Sequence, residues 1–152
     1  MIIASACLCG INCKYNGRNN LNNAVFKLFS EGKVIPVCPE QLGGMTTPRD
    51  VKEIKGGTGL EVLNGEAKVI SPSGEDSTDR FIKGAYETLN IAKNANVKAA
   101  VLKAKSPSCG AGKIYDGTFN GKLIDGNGVA SELLKINGIK VFTEEDEFIH
   151  CI

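Results

Sequence analysis

Three of the six cysteines follow apolar runs that are typical of buried β-strands. These cysteines, each with the run that precedes it, are Cys7 (2–6), Cys38 (33–37) and Cys109 (98–102, after a short polar bridge). In a parallel sheet the loops that follow the strands meet at one edge, where open α/β folds bind their ligands. Soft thiolates from three separate loops favour a metal or iron–sulfur site over a disulfide pair.

The spacing of the cysteines is unlike that of a zinc ribbon or a thioredoxin-type motif. Cys7, Cys9 and Cys13 are separated by one and by three residues, and the chain has no C-x-x-C pair. The single histidine is His150, so a Cys–His or Ser–His–Asp site would need a residue close to the end of the printed sequence. Cysteine is also common as a small buried hydrophobic residue, and this alternative is strongest for Cys9 and Cys151.

Two of the strand-end cysteines have polar neighbours that could take part in acid–base chemistry. Glu40 lies two residues after Cys38, and a carboxylate beside a dehydrated metal site is a natural general acid or base. An exposed carboxylate at the start of a helix is the alternative for Glu40. Ser106 and Ser108 precede Cys109 on a loop that contains proline and glycine, which is unusual for an ordinary turn.

Three further segments could hold a ligand. The loop at 13–18 combines Cys13 with Tyr15 and two basic residues, so it could hold a planar anionic ligand or be a solvated turn. Arg49 follows a Thr-Thr-Pro segment and could bind an anion or a carbonyl group. The glycines at 126–128 could bind a phosphate at the start of a helix, although so short a glycine motif has little specificity.

Composition places the chain among ordinary globular proteins. A length of 152 residues suits one domain, so we expect a single domain over 1–152 that folds without disulfides. A net charge of +1 gives no general attraction to nucleic acid or to a membrane surface. No apolar stretch approaches the ~20 residues of a membrane span, and no signal peptide is evident, so we expect a cytoplasmic protein with reduced thiols.

Segments with strand and helix patterns alternate along the chain. This order predicts an α/β protein with a Rossmann-like three-layer core, a mainly parallel sheet and two hairpin insertions. The strands are expected at 2–6, 33–37, 98–102 and 140–142, and the hairpins at 60–70 (turn Asn64-Gly65) and 113–124 (turn Asp116-Gly117 or Asn120-Gly121). The helices are expected at 24–31, 78–95 and 128–136, with a last short helix capped by Thr143.

Six short motifs occur in one order between residues 2 and about 143. They are Ser5-Ala6-Cys7-Leu8, Cys13-Lys14-Tyr15-Asn16-Gly17, Pro36-Val37-Cys38-Pro39-Glu40 with Leu42-Gly43-Gly44, Thr47-Pro48-Arg49, Ser106-Pro107-Ser108-Cys109-Gly110 and Tyr115-Asp116-Gly117-Thr118-Phe119. Together they resemble the small bacterial domain-of-unknown-function family that includes the thiouracil desulfurases. The chain departs from the family pattern at Cys9, where leucine is usual, and at Asn16, where aspartate is usual.

The resemblance implies a [4Fe-4S] cluster held by only three cysteines. It implies conversion of thiouracil to uracil and hydrogen sulfide without net redox change, with the sulfur captured on the open iron. By motif, the ligands are Cys7, Cys38 and Cys109, but Cys13 also matches a family cysteine, so the choice of three among these four stays open.

The same motifs imply the other site residues and the partners. Glu40 and Ser106 take acid–base and substrate-positioning roles, and Ser108, Arg49, Tyr15 and Cys13 contact the substrate. The expected partner is a small thiolated nucleobase, with no membrane, and the protein is a monomer or homodimer. Two alternatives remain: a non-catalytic module that binds zinc or a cluster, and a desulfurase that acts on thiolated tRNA, which the near-zero net charge does not favour.

Overall fold

The computed structural model describes residues 1–148, so the predictions for His150 and Cys151 fall outside the described residues. The elements, in chain order, are β1 (Ile2–Ser5), a 3-10 turn (Ala6–Cys9), α1 (Asn23–Ser30), β2 (Val34–Val37), α2 (Pro39–Leu42), β3 (Glu53–Lys55), α3 (Gly59–Leu63), β4 (Lys68–Ile70), α4 (Thr78–Asn94), β5 (Ala99–Leu102), β6 (Lys113–Tyr115), β7 (Leu123–Asp125), α5 (Val129–Ile136) and β8 (Lys140–Thr143). No helix within these residues is long and apolar enough to span a lipid bilayer.

The centre of the fold is a four-stranded sheet in the order β2-β1-β5-β8. All neighbouring strands are parallel, and β1 lies between β2 and β5. Continuous apolar runs such as β1 are typical of strands that are covered on both faces. Each of the four predicted core strands is confirmed.

Helices cover both faces of the sheet. Side chains alternate along β1, so Ile3 packs into one hydrophobic cluster while Ile2 and Ala4 pack into another. The first cluster includes the buried faces of α4 and α5, and the second includes Val25 and Leu28 of α1. The predicted apolar face of α4 (Phe81, Ala85, Leu89 and Ala92) is buried. The Rossmann-like three-layer prediction is therefore confirmed.

The hairpin predicted at 113–124 is confirmed. β6 and β7 pair antiparallel, with Tyr115 opposite Leu123, and both glycine dipeptides lie in the connecting loop. Gly117 and Gly121 have positive φ angles of 92° and 76°. Such φ angles are accessible to glycine without steric cost, which explains the glycines in this loop.

The hairpin predicted at 60–70 is wrong in its first half. Residues 59–63 form α3, and β4 pairs antiparallel with β3 instead. Glu61 Oε1 accepts hydrogen bonds from Thr58 N at 3.0 Å and Thr58 Oγ1 at 3.1 Å. This cap stabilises a helical start, and Val62 is fully buried, so helix formation prevails over the alternating pattern of Leu60 to Leu63.

The short helix predicted after Thr143 is also not formed within the described residues. Residues 144–146 form a turn in which Asp146 N donates to Thr143 O at 3.1 Å. Asp146 Oδ2 accepts from Thr143 N at 2.8 Å, which closes the turn from both sides. The Thr143 cap is present, but within the described residues it closes a turn and begins no helix.

Candidate functional site

A cavity of about 610 Å³ opens at the carboxyl ends of β1, β2 and β5. The chain moves from β1 to β2 on one side and later returns to β5 on the other side of β1. The loops after β1 and β5 therefore diverge, which creates the crevice where open α/β sheets bind ligands.

Nine of the site residues selected from the sequence line this one cavity, whereas the glycines at 126–128 do not. The nine residues are Cys7, Cys13, Tyr15, Cys38, Glu40, Arg49, Ser106, Ser108 and Cys109. The structure thus brings together residues that are up to about a hundred positions apart, from loops after three different strands. Their individual roles stay predictions.

Local structure positions each strand-end cysteine. Cys7 lies in the 3-10 turn that follows β1, and Cys38 is the residue before α2, where Pro39 begins the helix. Proline suits this first helical position because its missing N–H has no helical partner there. Cys109 lies in a loop whose amide groups are held by the Ser106 hydroxyl, which accepts from Cys109 N at 3.1 Å.

The thiol of Cys13 contacts two of the other cysteines. It hydrogen-bonds the thiols of Cys7 and Cys38, which lowers the pKa of Cys7 and lowers the pKa of Cys38 to about 7, in both cases against the effect of burial. The same contacts raise the pKa of Cys13 itself. Cys38 Sγ also lies 3.9 Å from the carbonyl oxygen of Cys13. Contact with Cys13 thus favours the thiolate form at Cys7 and Cys38, and the thiolate is the form that binds soft metals.

The remaining described cysteines are less acidic. Burial raises the pKa of Cys109 to about 12, although Ser108 Oγ lies 3.6 Å from its sulfur. Burial also raises the pKa of Cys9 to about 11. Cys9 packs in the hydrophobic cluster around α1 and does not line the cavity, so it has the character of a small core residue.

The donor set fits a polynuclear iron–sulfur group. Cys7, Cys38 and Cys109 are free thiols on separate loops around one cavity. Within residues 1–148, no three His, Cys, Asp or Glu side chains are grouped so that they could hold one metal ion. Iron–sulfur clusters bind their thiolates through different irons, so the sulfurs of the protein need not converge on a single point.

Glu40 is held at both carboxylate oxygens. Arg49 Nε donates to Oε1 at 3.0 Å, and Ser108 Oγ donates to Oε2 at 3.0 Å. The Arg49 side chain is only 5% exposed and also donates to Cys13 O at 2.9 Å and to Thr47 Oγ1 at 2.9 Å. Arg49 thus uses most of its five N–H groups within the protein, and it fixes the carboxylate relative to the cysteine loop.

A line of hydroxyl groups leads from the serine loop to Glu40. Ser106 Oγ and Ser108 Oγ are 3.0 Å apart, and Ser108 contacts Glu40 at its other side. Because Ser108 donates to the carboxylate, its oxygen is available to accept the Ser106 proton. The two hydroxyls can therefore pass a proton toward or away from Glu40.

Sequence reasoning missed two charged residues of the cavity wall. Lys52 and Glu53 line the cavity, and both are buried. They lie outside any motif used above, in a segment whose apolar pattern is weak. Only their burial identifies them as candidate site residues. The burial of Glu53 depends on the loop at 116–119, whose amides at Gly117 and Phe119 contact it.

Known proteins resemble this chain along nearly its whole length. The sequence matches the model of the 2-thiouracil desulfurase family over residues 2–146. A relative from Bacillus subtilis (strain 168), the uncharacterized protein YbbK, is 51% identical over 146 residues, which cover 96% of this chain and 97% of the relative. The similarity extends along nearly the whole length of both proteins.

A solved structure gives the same result for the fold. It is that of the [4Fe-4S]-dependent thiouracil desulfidase TudS, with a TM-score of 0.84 and 38% sequence identity. The match covers 95% of this chain and 90% of that chain. The three-layer α/β architecture is therefore common to both molecules.

Proposed function

The chain belongs to the 2-thiouracil desulfurase family, and from this premise we propose that it is an iron–sulfur enzyme that converts a thiolated pyrimidine such as thiouracil to uracil and hydrogen sulfide. One observation carries the proposal. The cavity places three strand-end thiols beside a carboxylate that is oriented by Arg49 and Ser108. Soft sulfur ligands and a fixed acid–base group are what hydrolysis of a carbon–sulfur bond requires.

Cys7, Cys38 and Cys109 are the residues that would hold a [4Fe-4S] cluster, with Cys13 as the alternative ligand. A cluster with three protein ligands keeps one iron open as a Lewis acid for a soft thiocarbonyl sulfur. The low pKa of Cys38 supports its assignment as a ligand, because the thiolate is available near neutral pH.

Glu40 acts as the general base in this proposal. It takes a proton from a water molecule that attacks the ring carbon bearing sulfur. The water oxygen becomes the new carbonyl oxygen, the carbon–sulfur bond breaks, and the two water protons leave with the sulfur as hydrogen sulfide. No electrons are transferred, so no external oxidant or reductant is needed.

The serine loop supports this proton transfer. Once Glu40 has received a proton, the hydroxyls can turn so that Glu40 donates to Ser108 and Ser108 donates to Ser106. The proton can then move along the hydroxyls toward the departing sulfur. Ser106 is the end of this line and would contact the substrate. Tyr15, which also lines the cavity, offers an aromatic surface for the pyrimidine ring.

The direct test is anaerobic reconstitution with iron and sulfide, followed by counts of iron and acid-labile sulfide and an assay of sulfide release from 2-thiouracil. Bound cluster with sulfide release supports the proposal, while protein that stays free of iron contradicts it.

Single alanine variants of Cys7, Cys38 and Cys109 should each lose bound iron, whereas Cys9→Ala should retain it as the control. Cys13→Ala decides which cysteines are ligands, because it keeps its iron only if Cys13 is not one.

The setting of the reaction is proposed on the same basis. A single domain that works on a free base in the cytoplasm fits the unpaired cysteines that line the cavity. An assay that offers thiolated tRNA in place of thiouracil separates the two substrate classes. Stoichiometric zinc with no sulfide release would identify a non-catalytic module instead.

A further inference from the structure

Lys52 and Glu53 are charged side chains of the cavity wall that the proposed reaction does not use. They are only 6% and 7% exposed, and both line the cavity that contains Cys38 and Glu40. A buried charge is costly unless it is paired or hydrogen-bonded, so two of them in a cavity indicate a ligand.

Lys52 has few partners for a buried ammonium group. Its Nζ donates to the carbonyl oxygen of Asp50 at 3.0 Å. Among residues 1–148, none of the salt bridges within 4.0 Å involves Lys52, although Glu53 is its neighbour in sequence. Lys52 also lines a second cavity, which includes Asp50, so its side chain lies between the two cavities. An ammonium group has three N–H donors, so donors beyond the one to Asp50 are left for a bound molecule.

Glu53 uses only one of its two carboxylate oxygens. Oε1 accepts from Gly117 N at 3.0 Å and from Phe119 N at 3.1 Å, which fixes the side chain against the β6–β7 loop. Oε2 accepts no hydrogen bond from residues 1–148 and keeps contact with solvent, because Ser131 Oγ is the one fully buried side-chain oxygen or nitrogen there without a partner. One oxygen of a rigidly held carboxylate is therefore available as an acceptor.

We infer that Lys52 and Glu53 recognise the carbonyl and the adjacent N–H of the pyrimidine ring. Lys52 donates to the ring carbonyl oxygen, and Glu53 Oε2 accepts from the ring N–H. A neutral ring with an acceptor next to a donor satisfies both buried charges, whereas an anionic group would be repelled by Glu53. The inference rests on the proposed function, because it assigns how that substrate class is selected.

This pairing has a specific consequence for analogues. A site built to hydrogen-bond a ring N–H discriminates strongly against a ring that lacks it, because the buried carboxylate is then left without a partner. Methylation of the recognised nitrogen should therefore weaken binding, and the weakening should depend on Glu53.

The test is titration calorimetry of cluster-containing protein with uracil, 1-methyluracil and 3-methyluracil. Uracil carries no sulfur to release, so its binding is measured apart from catalysis. Glu53→Gln keeps an oxygen for the Gly117 and Phe119 amides, and Lys52→Met keeps the aliphatic stem. Each variant should bind uracil about tenfold or more weakly than the parent, which corresponds to about 1.4 kcal/mol or more. Lys55→Met, exposed on the same strand, is the control and should bind like the parent.

The decisive result is non-additivity. The N–H beside the carbonyl of 2-thiouracil is N3–H, so in the parent 3-methyluracil should bind at least tenfold more weakly than uracil, and 1-methyluracil should bind like uracil. Glu53→Gln should add little further loss for 3-methyluracil. Unchanged uracil binding in both variants overturns the inference, as does an equal loss for uracil and both methyluracils, or no uracil binding by the parent. If Glu53→Gln fails to fold in a thermal melt, Lys52→Met carries the test alone. If the parent releases sulfide from 2-thiouracil but both variants bind uracil as tightly as the parent, the proposed function stands and this inference is refuted.

Discussion

At the scale of single residues, Glu40 connects the cysteine loops with the serine loop. Arg49 contacts one of its oxygens and Ser108 the other, and the Glu40 side chain is 15% exposed. A carboxylate held in this way loses little conformational freedom when a substrate binds, so its geometry is set in advance. This arrangement is why we assign the proton transfer to Glu40 instead of to a thiol.

Replacing Glu40 with glutamine tests this assignment. Glutamine preserves the size and part of the hydrogen bonding but cannot take a proton, so sulfide release should fall by about 100-fold or more. Bound iron and the melting temperature should change little, because the cysteine ligands remain. Glu66→Gln, at an exposed position, serves as the control, and near-normal activity of Glu40→Gln would refute the role.

Arg49→Lys tests whether Arg49 positions the Glu40 carboxylate. Lysine keeps the charge but cannot donate to Glu40, Thr47 and Cys13 in the same planar geometry, so we expect kcat to fall by about tenfold and the melting temperature to decrease. KM for thiouracil should change less than kcat, because Arg49 acts through Glu40. An effect on KM alone would instead mean direct substrate contact, and Arg18→Lys, on an exposed side chain, is the control.

At the scale of elements, the contact between α2 and α4 sets the position of the cavity wall. A Cβ atom at Gly84 would lie 1.8 Å from Pro39 O, and one at Gly43 would lie 2.1 Å from Arg80 O. The two helix backbones therefore touch. Because Cys38 and Glu40 lie at the start of α2, this contact places both of them.

Gly84→Ala should disrupt that contact. Alanine in an ordinary helix interior is more stable than glycine by about 1 kcal/mol, so the intrinsic effect would be stabilising. We expect the opposite here: a loss of about 1–3 kcal/mol in the free energy of unfolding, because the helices must separate. Urea denaturation measures the change. Lys83→Ala, exposed on the same helix, should be nearly neutral, and a stabilised Gly84→Ala protein would contradict the close contact.

The elements that the sequence predicted correctly have strong local patterns. The face of α4 and the apolar runs of β1 and β5 are visible in short windows of sequence. The prediction for residues 59–63 was wrong because their alternating pattern resembles that of a strand. The helix depends on the Thr58–Glu61 cap and on Gly59, where a Cβ atom would lie 2.5 Å from Gly128 O. The contact between Gly59 and Gly128 joins residues that are far apart in sequence, so no short stretch of sequence reveals it.

At the scale of the whole molecule, the cavity lies at the edge of the sheet, while most of the hydrophobic residues lie on its two faces. Most of the core residues lie away from the site, although Cys109 belongs to one hydrophobic cluster and Cys7 and Cys13 belong to the other. A bound cluster would nevertheless link the loops after β1, β2 and β5.

Removal of the cluster should reveal this link. Binding to the folded state alone stabilises that state, so chelation of iron should lower the melting temperature. The far-UV circular dichroism at 25 °C should remain close to that of the loaded protein, because most of the core residues lie away from the site. Complete loss of secondary structure on chelation would show instead that the cluster is required for folding.

The sequence by itself determined the order of most elements and the cysteines at the ends of three strands. It also marked Glu40, Arg49 and Ser106 through short motifs, since residues close in sequence report on local structure. Only the tertiary structure decided the strand order β2-β1-β5-β8, which brings these loops to one cavity. It alone revealed Glu53, because the burial of that carboxylate arises from amides more than sixty residues away, at Gly117 and Phe119. Such burial is a property of packing between distant segments, and the pattern around position 53 carries no trace of it.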